Sequence, residues 1–388
     1  MNPLGSTSRR HAVAADVVFD GMTLHRDCAV LIEGGEIVAM TARRDLPGAV
    51  PVRRLPDGTW LAPGFIDAQV NGGGDVLFND NPTPEGIAVI AAAHRRFGTT
   101  ALLPTLITDS TDKMRGARAA VDAALGSVPG VLGIHFEGPF LSLERAGVHD
   151  PAKMRQPEPG DIELLTSQQG GGVTLVTLAP ERVPAGFIAR LAGAGTRVAL
   201  GHSMATYAET RAALGEGLTG FTHLFNAMRP LASRDPGPIA AALETPDAFY
   251  GLIVDGEHVA PAMLRLALRG AGEAMLVTDA MPPVGGSRSE FMLCGKLVFA
   301  RDGRCVTANG TLAGAALDMA SAVRNTVRLL DLRLEDALRL ASAAPAAFLG
   351  VADRLGHLAP GYRADLVALD PAEIRVLATW VAGAASPS

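Results

Sequence analysis

The chain has 388 residues, a net charge of -6 and a sequence pI of about 5.9. No excess of positive charge favours nucleic acid or anionic lipid, so we expect neither a nucleic-acid partner nor a membrane partner. The three cysteines follow no paired-cysteine spacing, which argues against a disulfide framework or a thiolate zinc site. No apolar run reaches the roughly 18 residues of a membrane span, and residues 1–20 lack the apolar centre of a signal peptide. We therefore expect a cytoplasmic protein.

The two ends of the chain share a pattern that differs from the middle. Residues 12–58 contain short apolar runs broken by glycine and proline, which is typical of antiparallel β structure. The tail repeats this pattern in residues 364–369 and 374–380. Because chain termini commonly lie close together, we expect residues 1–60 and 350–388 to form one small β-sandwich domain.

Between these ends, strand-like segments alternate with runs that carry apolar residues at helical spacing. The predicted strands are Trp60–Val70, Thr99–Thr108, Val131–Glu137, Val173–Leu178, Arg197–His202, Gly220–Leu224, Tyr250–Val254 and Ala274–Asp279. Eight successive strand–helix units predict an α/β fold, a (β/α)8 TIM barrel that occupies residues 61–349.

Four polar residues stand at the ends of these predicted strands: Glu137 in HFEGP, His202 in GHS, His223 in THLFNAM and Asp279 in VTDAMPP. A parallel barrel gathers its catalytic groups at the carboxyl ends of its strands. Two imidazoles and a carboxylate can hold a zinc-like ion and leave a position open for water. A second carboxylate, Asp279, can then move protons during hydrolysis. The pattern is typical of a metallohydrolase.

Each of these four residues also has a structural interpretation. Glu137 fits a buried ion pair, and His202 and His223 fit core histidines that hydrogen-bond to the backbone. Asp279 fits a helix cap, although Pro282 and Pro283 argue against a helix that begins there. Their shared position at strand ends favours the functional interpretation.

Seven motifs along the chain carry a family resemblance. They are PGFIDAQVNG (63–72), HFEGPF (135–140), GHS (201–203), THLFNAM (222–228), DGEHV (255–259), VTDAMPP (277–283) and NGTLAG (309–314). In this order they resemble the N-acetylglucosamine-6-phosphate deacetylases of the amidohydrolase superfamily, from about residue 15 to residue 383. The resemblance implies a TIM barrel with a small β domain, a homodimer, and removal of acetate from N-acetylglucosamine 6-phosphate to give glucosamine 6-phosphate.

The resemblance also assigns roles to residues. It implies metal ligation by Glu137, His202 and His223, acid/base catalysis by Asp279, and polarisation of the acetyl carbonyl by His149. Arg234 matches an arginine that the neighbouring subunit lends to the phosphate, and Leu312 would close over the sugar. The expected substrate contacts are Gln69, Asn71, His149, Asn226, the backbone of Ala227, Arg234, His258 and Leu312. Among these, the resemblance matches His258, Asn226 and the backbone of Ala227, with Arg234, to contacts with the sugar phosphate.

The sequence departs from many amidohydrolases after the first strand. Where they carry two metal-binding histidines, this chain has Gln69 and Asn71, which are poor ligands for a zinc-like ion. Family members with this pair hold one metal, so we expect one divalent ion per subunit, with Zn²⁺ as the expected ion. The fourth predicted strand, Val173–Leu178, contains no lysine, which excludes a lysine carbamate bridge there.

Two other functions remain open at this point. One is a related amidohydrolase deacetylase that acts on N-acetylgalactosamine 6-phosphate or on an N-acyl amino acid. The other is a non-catalytic barrel that serves as a binding scaffold, a class that usually lacks a ligand or a base. All four expected residues are present here, which disfavours the scaffold.

Overall fold

The computed structural model, which describes residues 10–167, 170–301 and 303–386, contains a parallel eight-stranded sheet whose strands neighbour one another in chain order. In that order the barrel strands are Phe65–Val70, Thr99–Ile107, Gly133–Glu137, Val173–Leu178, Arg197–Leu200, Gly220–Phe221, Phe249–Leu252 and Glu273–Leu276. Val70 and Ala280 pair in parallel between the first and last strand segments, so the sheet is a nearly closed barrel. The predicted TIM barrel is confirmed.

The burial of the barrel strands agrees with a parallel sheet. Every residue of Phe65–Val70, Thr99–Ile107 and Gly133–Glu137 is buried, as expected for parallel strands that are covered on both faces. The helices before residue 300 are Pro84–Arg95, Thr111–Ala124, Asp161–Thr166, Phe187–Gly193, Tyr207–Gly215, Gly237–Glu244 and Pro261–Ala267.

The fifth, sixth and eighth strands are shorter than predicted. We expected them to run to His202, Leu224 and Asp279, but they end at Leu200, Phe221 and Leu276. His202, His223 and Asp279 have φ values of 48°, 32° and 51°, in the left-handed region that ends a strand. A non-glycine residue in this region is strained, and such strain clusters at functional sites.

The first predicted strand, Trp60–Val70, is wrong as a single element, because Trp60–Pro63 and Phe65–Val70 belong to different sheets. Gly64 separates them, and the backbone there lies against Thr100. A Cβ on Gly64 would lie 2.2 Å from side-chain atoms of Thr100. Apolar residues continue from one strand into the next, so the residue pattern alone does not show the break.

A second eight-stranded sheet combines both ends of the chain. Its strands are His11–Phe19, Leu24–Glu33, Glu36–Ala42, Val52–Arg54, Trp60–Pro63, Leu366–Asp370, Arg375–Val381 and Ala384–Ala385. Its core contains Val13, Val30, Ile32 and Trp380, which are all buried. The expectation of a β domain built from both termini is confirmed. Residues 1–9, 387 and 388 of the predicted domain lie outside the described residues.

The chain divides into two units by its internal contacts. The first comprises the described residues of Met1–Asp67, His94–Ala101 and Met319–Ser388, and it includes the helices Met319–Leu330, Leu334–Ala341 and Ala343–Leu349. The second comprises those of Ala68–Ala93 and Leu102–Asp318.

The second unit also contains a four-stranded antiparallel sheet that the sequence analysis did not predict. Its strands are Glu290–Leu293, Lys296–Arg301, Arg304–Thr307 and Leu312–Ala315. Two further short strands, Gly72–Gly73 and Val76–Leu77, pair with each other in antiparallel orientation. Within the described ranges, no helix has the length and apolarity that crossing a membrane requires.

Candidate active site

A cavity of about 450 Å³ lies where the barrel strands end. Its lining residues all belong to the second unit. Of the residues named from the sequence, the cavity lining includes Asn71, Glu137, His149, His202, His223, Asn226, Ala227, His258, Asp279 and Leu312. The motifs that are far apart in sequence therefore meet in one place.

Three side chains in this cavity converge on a single point. Glu137 Oε1 lies 3.0 Å from His223 Nε2 and 3.2 Å from His202 Nε2, and the two Nε2 atoms are 3.2 Å apart. Ligand atoms at the usual distance of about 2.0–2.1 Å from a tetrahedral zinc ion are about 3.3 Å from one another. The three atoms thus have nearly the spacing that a divalent ion requires.

A wider group of possible ligands includes His149. Ligand atoms of Glu137, His149 and His202 lie within 4.8 Å of one another. The group with His223 is tighter, at 3.0–3.2 Å, and matches a tetrahedral edge better. We therefore take Glu137, His202 and His223 as the candidate ligands, and we treat His149 as a neighbour of the group.

The hydrogen bonds of His202 prepare it for metal binding. Its Nδ1 lies 2.7 Å from the carbonyl oxygen of Arg145, a group that can only accept a hydrogen bond. Nδ1 therefore carries the proton in the neutral ring, and Nε2 presents its lone pair toward Glu137 and His223. His223 Nδ1 has no hydrogen-bond partner among the described residues.

Charges within the group compensate one another. Burial disfavours the ionised form of Glu137, but the adjacent imidazoles of His202 and His223 outweigh that effect and hold the pKa of Glu137 well below its usual value. Burial lowers the pKa of His223, and the neighbouring Glu137 outweighs that effect and raises it. A buried carboxylate flanked by two imidazoles is the environment in which a cation replaces protons.

Asp279 lies beside this group and is held by two amides. Asn71 Nδ2 donates to Asp279 Oδ1 over 2.6 Å, and Gln69 Nε2 lies 3.2 Å from both Asp279 Oδ1 and Glu137 Oε1. Burial and the charge of Glu137 raise the pKa of Asp279 to about 6, although His223, His258 and Asn71 oppose the shift. In this assigned orientation the amide groups donate to carboxylates, which is not how metal ligands act.

His149 is buried beside the candidate ligands, with its ring centroid 4.4 Å from that of His202. Its Nδ1 lies 2.8 Å from Thr108 Oγ1. Burial, with a smaller contribution from His202, lowers the pKa of His149 to about 3, so the ring is neutral at physiological pH. A neutral imidazole can donate one hydrogen bond and accept another.

The residues expected to contact phosphate fall into two groups. His258 lines the cavity, and its Nδ1 lies 2.6 Å from Asp255 Oδ2. Asn226 also lines it and donates from Nδ2 to the carbonyl of His223 over 3.1 Å. Arg234, in contrast, is exposed and lies outside the cavity lining.

Some residues of the site were not assigned a role from the sequence. Arg145 is the one arginine or lysine in the cavity lining of the described chain, and its carbonyl holds His202. Its position four residues before His149, a residue already assigned a role, was the available signal. Thr108, which contacts His149, directly follows a strand whose sequence is typical of ordinary core.

His135 is a buried barrel residue that contacts no candidate ligand through the described hydrogen bonds. Its Nε2 lies 2.8 Å from Thr177 Oγ1, and its Nδ1 lies 3.3 Å from Thr105 Oγ1. Thr177 Oγ1 in turn lies 2.5 Å from Thr222 Oγ1. This chain of buried hydrogen bonds supports a structural role for His135.

Sequence and structure comparisons place the chain among known enzymes. The model of the amidohydrolase family matches residues 60–387, so the chain belongs to that family of barrel hydrolases. An N-acetylgalactosamine-6-phosphate deacetylase of Shewanella sp. is 44% identical over 96% of this chain and 94% of its own length. An N-acetylglucosamine-6-phosphate deacetylase of Haemophilus influenzae is 34% identical over 96% of this chain and 98% of its own.

Two solved structures agree with this assignment. The crystal structure of N-acetylglucosamine-6-phosphate deacetylase from Pasteurella multocida has a TM-score of 0.93 and 34% identity, and covers 98% of this chain and 100% of that chain. A D267A mutant of the Mycobacterium smegmatis deacetylase, solved in complex with N-acetyl-D-glucosamine 6-phosphate, has a TM-score of 0.89 and 36% identity. It covers 97% of this chain and 99% of that chain.

The close packing of Gly201 generates a prediction about the site. A Cβ at Gly201 would lie 2.6 Å from Thr177 Cγ2 and 3.0 Å from Thr222 Cβ, and both threonines are buried. Gly201→Ala must therefore separate the strand ends that carry His202 and His223. We expect unfolding free energy to fall by about 1–3 kcal/mol and zinc affinity, measured by competition with a chelating dye, to fall at least about tenfold.

The matched control is Gly116→Ala. Gly116 lies inside the helix Thr111–Ala124, where an added Cβ meets nothing within 4 Å. This variant should be as stable as the parent or up to about 1 kcal/mol more stable, because alanine favours helices. Unchanged zinc affinity in Gly201→Ala would show that the spacing of these strand ends does not govern the metal site.

Proposed function

We propose that this protein is a metal-dependent deacetylase that removes acetate from N-acetylglucosamine 6-phosphate and releases glucosamine 6-phosphate. The observation that carries the proposal is one cavity that combines three convergent ligand atoms, 3.0–3.2 Å apart, with a second buried carboxylate, Asp279. The relatives that match nearly the whole chain are named as deacetylases of phosphorylated N-acetyl amino sugars.

The donor set fits one divalent ion in each subunit, with Zn²⁺ as the proposed ion. One carboxylate oxygen and two imidazole nitrogens are the ligands of many catalytic zinc sites. When bound, such an ion lowers the pKa of water and stabilises developing negative charge on oxygen. Gln69 and Asn71 direct amide protons toward Asp279, so they support the carboxylate instead of adding a second metal site.

Asp279 would carry the proton through the reaction. With a pKa raised to about 6 it is ionised at neutral pH and can accept a proton from the attacking water. Attack on the acetyl carbon gives a tetrahedral oxyanion, to which His149 can donate a hydrogen bond. Asp279 then passes its proton to the sugar nitrogen, the carbon–nitrogen bond breaks, and acetate and the amine leave.

The phosphate would be held at a distance from the scissile amide. We assign this task to His258, Asn226 and the backbone of Ala227, which line the cavity, and to Arg234 of a second subunit in a homodimer. Such remote contacts orient the amide for attack. Leu312, also in the lining, would cover the sugar ring. The enzyme would act in amino-sugar metabolism in the cytoplasm.

N-acetylgalactosamine 6-phosphate is a second candidate substrate. It is favoured by the Shewanella relative, whose 44% identity exceeds the 34% of the Haemophilus enzyme. The two sugars differ in the configuration of one hydroxyl, whereas the acetamide and the phosphate are the same. The catalytic assignments above are therefore independent of which epimer the enzyme prefers.

An acetate-release assay tests the function and the epimer together. The purified protein with Zn²⁺ is given both phosphorylated sugars, unphosphorylated N-acetylglucosamine and an N-acetyl amino acid, and kcat/KM is compared. The proposal predicts the highest value for N-acetylglucosamine 6-phosphate. A higher value for the galactosamine epimer would select the second candidate, and preference for the amino acid or no turnover at all would reject both.

Replacement of Asp279 tests the proton-transfer step. Asp279→Asn keeps the size of the side chain and can still accept hydrogen bonds from Asn71 and Gln69, but it cannot act as a base. We expect kcat to fall at least about 100-fold, the usual cost of a lost general acid/base, with zinc content by elemental analysis near that of the parent. Turnover close to the parent value would assign the proton transfer to another residue.

Replacement of Arg234 tests the phosphate contact. The guanidinium of an arginine binds phosphate through two parallel hydrogen bonds, which a lysine cannot reproduce. Arg234→Ala should raise KM for the phosphorylated sugar at least about tenfold and leave kcat/KM for unphosphorylated N-acetylglucosamine unchanged. For Arg234→Lys, the matched control, we expect KM for the phosphorylated sugar to lie between the values of the parent and of Arg234→Ala. An equal effect on both substrates would remove Arg234 from the phosphate site.

Mixed dimers test whether Arg234 acts across subunits. Arg234→Ala chains and Asp279→Asn chains are combined under conditions that exchange subunits. Each mixed dimer should regain one competent site, built from the intact Asp279 of one chain and the intact Arg234 of the other. If activity does not recover although mixed dimers form, Arg234 does not act in trans.

A further inference from the structure

The loop that carries His202 is held by a carboxylate that is not part of the cavity lining. Glu181 belongs to the short 3₁₀ helix Pro180–Arg182, which follows the fourth barrel strand. Its Oε1 accepts a hydrogen bond from the backbone N–H of Met204 over 2.6 Å, and its Oε2 accepts one from the hydroxyl of Ser203 over 2.8 Å. A single carboxylate therefore holds both residues that follow His202.

The chemistry of the groups fixes the direction of these hydrogen bonds. A backbone N–H can only donate, and a carboxylate oxygen accepts. Ser203 Oγ itself accepts from the backbone N–H of Ala205 over 2.9 Å, which leaves the hydroxyl proton for Glu181. Ser203 is fully buried. Because hydrogen bonds to a carboxylate are about twice as strong as those between neutral groups, Glu181 is a strong anchor for this loop.

The backbone of His202 needs such an anchor. Its φ of 48° lies in the left-handed region, which is costly for a residue other than glycine. A residue keeps this conformation only where the surrounding structure imposes it. The backbone N–H of Ser142 donates to the carbonyl of His202 over 2.9 Å, and Glu181 holds the chain on the other side. The direction of the His202 side chain therefore depends on these contacts.

The same loop also contacts the segment that follows His223. The backbone N–H of Ser203 donates to the carbonyl of Ala227 over 3.1 Å, and the backbone N–H of Arg229 donates to the carbonyl of Ser203 over 2.9 Å. Glu181, at the end of the fourth strand, is thus connected through the fifth strand end to the sixth. The two candidate metal ligands His202 and His223 lie on either side of this connection.

We propose that Glu181 is a positioning residue of the metal site, which keeps His202 Nε2 at zinc-binding distance from the other two ligands. The inference rests on the proposed zinc site and is independent of which sugar the enzyme accepts. The three ligand atoms are 3.0–3.2 Å apart. Metal–ligand distances in proteins stay within about 0.2 Å of their usual values, so even a small displacement of the His202 loop weakens the site.

Removal of the carboxylate should weaken zinc binding. Glu181→Ala leaves the Met204 N–H and the Ser203 hydroxyl without their acceptor, so the loop that carries His202 loses its anchor. We expect zinc affinity, measured by competition with a chelating dye, to fall at least about tenfold, the lower end of the usual cost of losing a group that orients a metal ligand. Glu181→Gln keeps the shape but accepts only one of the two hydrogen bonds, so its zinc affinity should lie between those of the parent and Glu181→Ala.

The matched control is Glu216→Ala. Glu216 also holds a loop by accepting backbone hydrogen bonds, from Gly186 over 2.9 Å and from Ala189 over 3.4 Å, at the start of the helix Phe187–Gly193. It is not part of the cavity lining, and its two donors are not either. Glu216→Ala should lower the thermal stability of the metal-free protein, because a helix start loses its acceptor, and should leave zinc affinity unchanged.

The comparison separates a positioning role from a structural one. If Glu181→Ala and Glu181→Gln bind zinc as tightly as the parent, or if Glu216→Ala loses as much zinc affinity as Glu181→Ala, then Glu181 is merely structural and the proposal fails. A selective loss in the Glu181 variants supports the proposal, whether or not the protein releases acetate from any sugar. A parent that binds no zinc would overturn the proposed metal site and this inference together.

Discussion

The burial of the Glu137 carboxylate is the constraint on which the rest of this site depends. The residue is 2% exposed, and a carboxylate in such a place is costly unless positive charge and hydrogen bonds compensate it. His202 and His223 supply two imidazole partners, with nitrogen atoms 3.2 Å and 3.0 Å away. The carbonyl of Arg145 fixes the tautomer of His202, and Gln69 links Glu137 to Asp279. Each neighbour thus either compensates the charge or orients a group that does.

The barrel brings these residues together by ending its strands early. His202, His223 and Asp279 have positive φ angles, and each lies two or three residues beyond the last residue of its strand. A regular strand alternates its side chains between two faces, whereas a left-handed residue turns out of that alternation. The parallel sheet therefore determines where each strand ends. The left-handed residue that follows determines the direction of its side chain.

Much of this architecture was predictable because repeated strand–helix periodicity and polar residues at strand ends are local signals. The meeting of Glu137, His202, His223 and Asp279 followed from barrel topology alone. The break at Gly64 was not predictable, since it depends on how closely Thr100 approaches the backbone. Thr108 was missed for a similar reason: a threonine after an apolar strand looks like core until its distance to His149 is known. The four-stranded sheet of residues 290–315 lies outside the repeated pattern.

The most direct test of the account is the stoichiometry of tightly bound metal. Metal-free protein is titrated with Zn²⁺ by calorimetry, and bound zinc is then measured by elemental analysis after dialysis, in the parent and in a His202→Ala/His223→Ala double variant. One buried carboxylate and two imidazoles predict one tight equivalent per chain in the parent and none in the double variant. Two tight equivalents in the parent, or retention of zinc by the double variant, would contradict a single site built from Glu137, His202 and His223.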